Sequence, residues 1–484
     1  MSDELLELPE GWIWTPFEEL VVNHDGRRIP VSSTDRQQRQ GSFPYYGASG
    51  IIDLVDDYLF EGDYLLIAED GANLVSRSTP IAFEASGKFW VNNHAHILQP
   101  IEELILTPYL RDYFNCTDLR FYISGSAQPK LNQKNLNRIP IPLPPLNEQK
   151  RIVAEIEALR ERSQKARSAL SAIPELCDKF RQSVLAAAFR GDLTADWREQ
   201  NPDVEPASVL LARIKLERHR RWEAKELERM KTRGKALQND KWKEKYLELE
   251  DSSVLISTDS PQGWTWTTIG HVAECLDSKR VPINKEEREK RQGDVPYYGA
   301  NGQVGLIDEF IFDEPLVIVV EDETFLGRTK PFCYKITGKS WVNNHAHVLR
   351  ATEVLDLDYL NYSLMFYPFI PLTSGTTGRR KLTQSALMTA PYALPPLKEQ
   401  HQIVATIERY FETIERIQEA LKSDFDLIDH LDRSILAKAF RGELVEQDPN
   451  DEPASVLLER IRVDREQQMQ GKIKKPGKKK RTGD

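Results

Sequence analysis

Apolar residues change their period along the chain, and they do so twice in the same order. Residues 1–143 carry short β-rich runs, Tyr64-Leu65-Leu66-Ile67-Ala68, Pro80-Ile81-Ala82-Phe83 and Phe89-Trp90-Val91, separated by Gly, Asp and Asn turns. The matching later runs are Leu316-Val317-Ile318-Val319-Val320, Pro331-Phe332-Cys333-Tyr334 and Trp341-Val342. Segments Pro108 to Tyr113 and Leu357 to Phe366 read as short helices, so each stretch predicts an α+β unit. Proline then marks a change of regime, at Pro140, Pro142, Pro144 and Pro145 and again at Pro391, Pro395 and Pro396. With no amide hydrogen and a fixed φ, proline ends a strand and opens a helix.

Beyond each proline run the spacing becomes 4-3-4-3. Ile152, Ile156, Leu159, Ser163, Ala166, Leu170 and Ile173 form one seam; Ile403, Ile407, Tyr410, Ile414, Ile417 and Leu421 form the other. A period near 3.5 points to two helices, one per half, packed on each other rather than to a stripe buried on its own domain. Glu148 and Glu399 stand in the first turns, where the helix dipole favours them. Pro174 is expected to break or kink the first helix, and the second has no equivalent proline. A second helical stretch follows around Phe180 to Phe189 and Leu431 to Phe440, then Glu205-Pro206-Ala207-Ser208 and its copy Glu452-Pro453-Ala454-Ser455, a highly charged connector, Arg213 to Glu250, and a basic tail, Lys472 to Arg481.

The whole pattern is a duplication. Gly11-Trp12-Ile13-Trp14 returns as Gly263-Trp264-Thr265-Trp266, Pro44-Tyr45-Tyr46-Gly47 as Pro296-Tyr297-Tyr298-Gly299, and Trp90-Val91-Asn92-Asn93-His94-Ala95-His96 as Trp341-Val342-Asn343-Asn344-His345-Ala346-His347. Such a period is a repeated half-molecule, not a solenoid. Two like halves arranged about a pseudo-two-fold axis suit a nearly two-fold partner, duplex DNA above all. The expected segments are 1–143, a first α+β domain; 144–258, helices and connector; 259–394, a second α+β domain; and 395–484, helices and tail.

Composition narrows the function. The net charge of −10 over 484 residues argues against bulk coating of DNA, so a DNA site must be a local basic patch or share its phosphate load with a partner. The start lacks a basic flank and an apolar core, and no apolar run is long enough to span a bilayer. Cys116, Cys177, Cys275 and Cys333 lack motif spacing and do not correspond between the halves. They read as reduced thiols of a cytoplasmic protein.

Candidate chemistry is sparse. Gly338-Lys339-Ser340 ends like a phosphate-binding loop, but Cys333 stands where its first glycine belongs. No glycine-rich dinucleotide fingerprint and no methyltransferase tetrapeptide is present. Glu69-Asp70 with His94 and His96, repeated as Glu321-Asp322 with His345 and His347, could hold a metal. His-x-His beside a tryptophan reads first as packed, hydrogen-bonded imidazoles, so no metal and no catalytic residue is assigned. Three loops could meet DNA. The first holds Arg27, Arg28, Arg39, Gln40, Tyr45 and Tyr46, against Lys279, Arg280, Arg291, Gln292, Tyr297 and Tyr298. Arginine and glutamine can read base edges, and tyrosine hydroxyls can hold phosphate. A solvated face and turn packing stand as alternatives. The second holds Gln128 and Lys130 in Ser124–Lys130, against Arg379, Arg380 and Lys381 in Ser374–Lys381, where small residues let backbone amides approach phosphate. The third, Gly71 to Arg77 against Glu323 to Arg328, differs most between halves and suits discrimination.

These features together resemble the DNA specificity subunit of type I restriction-modification enzymes, over nearly the whole chain. The resemblance is carried by Leu8-Pro9-Glu10-Gly11-Trp12, the Pro-Tyr-Tyr-Gly and Asn-Asn-His-Ala-His segments, Pro-Pro-Leu followed by Asn147-Glu148-Gln149 or Lys398-Glu399-Gln400, and Ser434 to Leu444. It implies two target recognition domains, each reading one half of a bipartite site in double-stranded DNA, and spacer helices that form an antiparallel coiled coil and set the gap. It also implies two methyltransferase subunits docked on the helices and a separate restriction and translocase subunit. The chain would then hold no cofactor, with S-adenosylmethionine, ATP and Mg in the partner subunits. A standalone DNA-binding regulator and a metal-dependent nuclease are the rival classes. The likeness of the two domains predicts related half-sites.

Overall fold

The computed structural model describes residues 7–125, 128–232, 242–243, 260–323, 325–376 and 379–473. It has two compact units, Met1–Ser171 with Leu421–Asp484, and Ala172–Ala420. Neither is a sequential half. The two α+β domains fall one to each unit, and the helical segments are divided between them.

In the first unit, Tyr64–Ala68 is buried at every position, as an apolar run without alternation requires. It is the inner strand of a four-stranded antiparallel sheet, between Ala95–Pro100 and Ala82–Ala85, with Val21–Asn23 on the outer side. A second four-stranded sheet holds Gly50–Val55, Gln40–Gly47, Lys88–Val91 and Phe60–Glu61. Within it, Tyr45 pairs in parallel with Trp90. Ile13–Pro16 pairs with Pro140–Leu143 and closes the domain at the point where the chain turns helical.

The second unit repeats this register. Leu316–Val320 lies between Cys333–Ile336 and Ala346–Ala351, Tyr297 pairs with Trp341, and Thr265–Thr268 pairs with Pro391–Leu394. Its additional three-stranded sheet joins Asp322–Glu323, Arg379–Lys381 and Ser374–Thr376. The expected α+β class and the repeat are both present.

The helices follow the predicted seams. Leu146–Ser171 stops and Ile173–Arg190 restarts with Pro174 in its first turn, whereas Leu397–Ala439 runs unbroken. In the first unit Arg167 bonds Asp429 at 2.5 Å and Asp432 at 3.0 Å, while Arg151 bonds Asp451 at 2.9 Å. Asp451 lies past the end of the second helix, so rising numbers on one helix meet falling numbers along the other and beyond it, and the pairing is antiparallel. Ile152 and Ile156 share one core with Ile435 and Ala439, and Leu159 packs against it. In the second unit the ring of Phe180 meets Tyr410, and Arg181 bonds Gln418. Ile403 and Ile407 are buried there with Val184, Leu185 and Ala188, and Tyr410 packs on that core. Ile414 and Leu421 are buried and Leu170 is half-buried, but Ile417 is 43% exposed. A helix of 3.6 residues per turn drifts about 20° per heptad, which turns a strict seam off its partner.

The repeated short motifs serve this frame. Gln149 accepts from the Leu106 amide and donates to the carbonyls of Leu104 and Pro144. Gln400 does the same with Asp356, Val354 and Pro395. Gly191 and Gly442, each at the end of an Ala-Phe-Arg-Gly segment, have φ of 83° and 72°. A Cβ at Gly442 would meet Pro9 at 2.3 Å, and one at Gly191 would meet Pro261 at 2.5 Å. The amide of Ala454 donates to Gly11, and that of Ala207 to Gly263. Each α+β domain is therefore closed at its start by a Gly and a Glu-Pro-Ala segment; for the first domain that segment comes from the far end of the chain.

Candidate nucleic-acid interface

A polar cluster at the end of the inner strand organises each α+β domain. Glu69, just past Tyr64–Ala68, bonds Arg28 at 2.6 Å and Lys130 at 3.0 Å. Arg28 also donates to the carbonyls of Ala95 at 2.9 Å and Asp25 at 3.1 Å. Asp25 meets His96 Nδ1 at 2.5 Å and accepts from the Ile97 amide. His96 Nε2 lies 2.8 Å from the Leu131 carbonyl, which can only accept, so that nitrogen carries a hydrogen. Two fixed cations, Arg28 and Lys130, thus meet the Glu69 carboxylate, and His96 links Asp25 to the Leu131 carbonyl.

The second unit builds the same cluster. Arg280 bonds Glu321 at 2.6 Å and Asp277 at 3.1 Å, Lys381 bonds Glu321 at 2.9 Å, and His347 joins Asp277 to the Leu382 carbonyl. Burial pushes the Asp25, Asp277, Glu69 and Glu321 carboxyls up. The hydrogen bonds and charges of the imidazole, guanidinium and ammonium outweigh it, and all four end below the usual carboxylate range.

Asp25, Glu69 and His96, and likewise Cys275, Asp277 and His347, offer ligand atoms within 4.8 Å of one another. Arg28 and Arg280 already fill the cation's place, and burial lifts the Cys275 thiol to about 12. The donor sets fit ion pairing better than a metal. His94 and His345 instead pair at the surface with Asp70 and Asp322.

The cluster ties two of the predicted loops together. The Gly71 amide donates to Pro129, Leu131 to Glu69, and Ser124 exchanges bonds with Lys130. Lys130 and Lys381 leave their ammonium ends at the surface, with side chains 49% and 55% exposed. Gln128 is exposed beside Lys130. Arg380 folds back on Thr373 through its side chain, while the side chain of Arg379 and residues 126–127 and 377–378 lie outside the described residues.

The first predicted loop divides between frame and surface. Arg28 and Arg280 are 15% and 13% exposed and committed to the cluster. Tyr45 and Tyr297 are buried, the first bonded to the Val31 amide and the second to the Ile283 carbonyl. Arg39 pairs with Asp56 over Trp90, and Arg291 with Asp308 and Glu309 over Trp341. Arg27 and Lys279 are exposed, Arg27 lying over the Phe60 ring. Gln40 bonds Asp53, and Gln292 is exposed. Tyr46 and Tyr298 are half-buried against Phe83 and Tyr334. In the third loop, Arg77 (φ 53°) donates to the carbonyls of Phe114 and Thr117, and Arg328 to Pro331 and to Asn301.

Asp25, Asp277 and Arg36 escaped the sequence reading. Arg36 bonds Asp53, stacks on Tyr45, and lines a cleft with Asn92, Asn93 and His94. The available signal was the repeated acid three residues before each cluster arginine, Asp25-Gly26-Arg27-Arg28 and Asp277-Ser278-Lys279-Arg280.

Comparison with known proteins bears on what such a frame does. The profile described as Type I restriction modification DNA specificity domain matches residues 10–169 and 261–423. The specificity subunit of the type I restriction enzyme EcoDI from Escherichia coli is 24% identical over 95% of this chain and 96% of its own. A putative type I restriction enzyme specificity subunit from Haemophilus influenzae is 27% identical over 83% and 88%. In solved structures, a chain of a type I R-M system (TM-score 0.56, 18% identity) and the HsdS subunit from Thermoanaerobacter tengcongensis (0.53, 16%) have this fold. They cover 91% and 92% of this chain and the whole of their own.

Proposed function

The chain belongs to the type I restriction modification DNA specificity family, and from that premise we propose how it recognises DNA: each recognition domain reads one half of a bipartite duplex site. The reading rests above all on the doubled ion-paired cluster. At the same position in both units an exposed lysine stands on a rigid ion-paired base beside loops that differ between the units. Lys130 and Lys381 hold phosphate and fix register, which carries no sequence information. Gln128, Arg27, Lys279, Gln292 and the differing loops discriminate bases. Arg28, Arg280, Tyr45 and Tyr297 hold those loops in place.

The helices set the distance between half-sites and dock two methyltransferase subunits. Leu176 and Phe180 in the second unit and Leu427 and Leu431 in the first stand exposed on the helices, as surfaces awaiting a partner do. The chain itself is non-catalytic. S-adenosylmethionine, ATP and Mg act in the methyltransferase and the restriction subunits, and the methyltransferase flips its target base out of the stack. The test is reconstitution with a methyltransferase partner followed by mapping of the methylated bases. Two short motifs at a fixed separation, methylated only when this chain is present, are expected. A single contiguous motif, or sequence-selective binding with no partner-dependent methylation, points to the standalone regulator instead.

A further inference from the structure

Both units stack an arginine on a tyrosine, but only one of them neutralises it. In the first, Arg36 on Ser33–Gln38 lies 4.8 Å over the Tyr45 ring, bonds Asp53 at 2.9 Å and donates to the Val31 carbonyl at 2.7 Å. Asp53 also accepts from Gln40 at 3.2 Å. In the second, Arg288 on Lys285–Lys290 lies 4.9 Å over the Tyr297 ring. Strand register fixes the correspondence: Tyr45 pairs with Asp53 on one side and Trp90 on the other, and Tyr297 with Gly305 and Trp341. The two short helices also begin alike, Ser32 accepting from the Asp35 amide and Asn284 from that of Glu287. Gly305 therefore stands where Asp53 stands, and it has no side chain to offer.

Among the described residues Arg288 makes no ion pair. It faces the Tyr297 hydroxyl, which is neutral. Gln292, matched to Gln40, has no such acceptor either and is exposed. One change of side chain thus leaves unheld two donors of the kinds that read base edges, arginine for guanine O6 and N7 and glutamine for adenine N6 and N7. The place suits DNA. Arg36 lines a cleft with Asn92, Asn93 and His94. The His94 carbonyl takes the Glu69 amide and Glu69 holds Lys130, so the cleft adjoins the lysine assigned to phosphate. The second unit repeats that link, His345 taking the Glu321 amide and Glu321 holding Lys381. Phosphate itself is a poor partner for Arg288, because Glu286, Glu287 and Glu289 on the same helix repel it. A guanine edge carries no net charge and offers two acceptors that match the guanidinium fork. Stacking on Tyr297 limits the freedom lost when the fork engages.

We propose that Arg288 reads a guanine in the half-site of the second recognition domain, and that Asp53 keeps Arg36 from doing so in the first. The inference rests on the half-site reading above and names the residues that make the two halves differ. In the first unit the acid competes for the same fork of donors. Were Arg36 to leave it for a base, Asp53 would face the duplex as an unpaired negative charge. In the second unit nothing has to be given up.

The test uses the full chain with a methyltransferase partner, a duplex library randomised through both half-sites, and sequencing of the methylated fraction. Arg288→Ala should lower the preference for guanine at one position of one half-site by about tenfold. Gly305→Asp should do so at the same position. A Cβ at Gly305 would lie 3.7 Å from Arg288 Nε, an ordinary contact, so the acid fits beside the guanidinium. Gly305→Ala adds the carbon without the charge and should keep the wild-type preference. Asp53→Gly should create a guanine preference at the matched position of the other half-site, a readout that stands even if Gly305→Asp fails to fold. Equal effects of Gly305→Asp and Gly305→Ala, a loss in Arg288→Ala spread evenly over all sequences, or a first half-site unmoved by Asp53→Gly overturns the proposal and leaves two-part recognition intact. A wild-type library that yields one contiguous motif removes the half-site reading itself, and this proposal with it.

Discussion

Arg28→Ala separates a framework arginine from a base-reading one. The guanidinium is 15% exposed and makes a 2.6 Å pair with Glu69, whose own side chain is 11% exposed. It also satisfies the Ala95 and Asp25 carbonyls. Removing one partner of a buried pair costs about 3–5 kcal/mol, because the other charge stays behind unpaired. Glu69 would retain Lys130 at 3.0 Å, whose ammonium end is half in water, so the lower end applies: about 3 kcal/mol. For a unit of this size each kcal/mol moves the melting point by roughly 2–4 °C, which gives a fall of about 6–12 °C. Differential scanning calorimetry of the full chain is the assay, since two units need not melt together. Arg28→Ala should lower the transition of the first unit and Arg280→Ala that of the second. Arg28→Lys should rescue little, because one ammonium cannot reproduce the fork of donors that reaches Glu69 and two carbonyls. If Arg28→Ala leaves both transitions in place while discrimination between cognate and non-cognate duplex collapses, the side chain reads a base and the framework assignment is wrong.

Acid should act through the same cluster. Asp25, Glu69, Asp277 and Glu321 titrate lower in the folded chain than in the unfolded one, so their contribution is present above the ordinary carboxylate range and is lost as pH falls through the folded values. Melting points recorded from pH 7 downward should decline below about pH 4, and a flat profile would contradict the shifts. Lys130→Gln and Lys381→Gln should each reduce the slope of log affinity against log salt by about 0.9, equally on cognate and non-cognate duplex; an unchanged slope removes the phosphate contact. Gly41→Ala should destabilise by roughly 1–3 kcal/mol or more, since its Cβ would lie 2.3 Å from the Val55 carbonyl, and Gly293→Ala should do likewise against Ile307 and Asp308. Gly26→Ala, with nothing within 4 Å, is the neutral control in the same denaturation series. The two domains are alike along their length, including the exposed cations Arg27 and Lys279 at one base-reading position, so the mapped half-sites should be related sequences; unrelated ones would place specificity wholly in the differing loops.

What the chain disclosed about itself followed from how local each cause is. The unalternating run at 64–68, the proline boundaries, the break at Pro174 and the 4-3-4-3 spacing depend on neighbours three or four residues away, and all stand in the fold but for the exposed Ala166 and Ile417. The recurrence of Arg39-Gln40-Gly41 as Arg291-Gln292-Gly293 was equally visible, but recurrence cannot separate what holds a scaffold from what it presents. The structure supplies a scaffold cause for most of that motif: an arginine stacked on tryptophan and paired with an acid, and a glycine against a backbone carbonyl. Asp25 was missed because its partners His96 and Ile97 lie some seventy residues on, brought back by the pairing of Val21–Asn23 with Ala95–Pro100. The same non-local closure decides which segments make up each compact unit. The repeated Glu-Pro-Ala segments look alike, and only the bonds from Ala454 to Gly11 and from Ala207 to Gly263 tell which domain each one completes. In a duplicated chain, residues kept identical in both copies are thus the better candidates for framework and phosphate. The residues that differ at matched positions, among them Asp53 against Gly305 and Gly71–Arg77 against Glu323–Arg328, are where the two units can be given separate tasks.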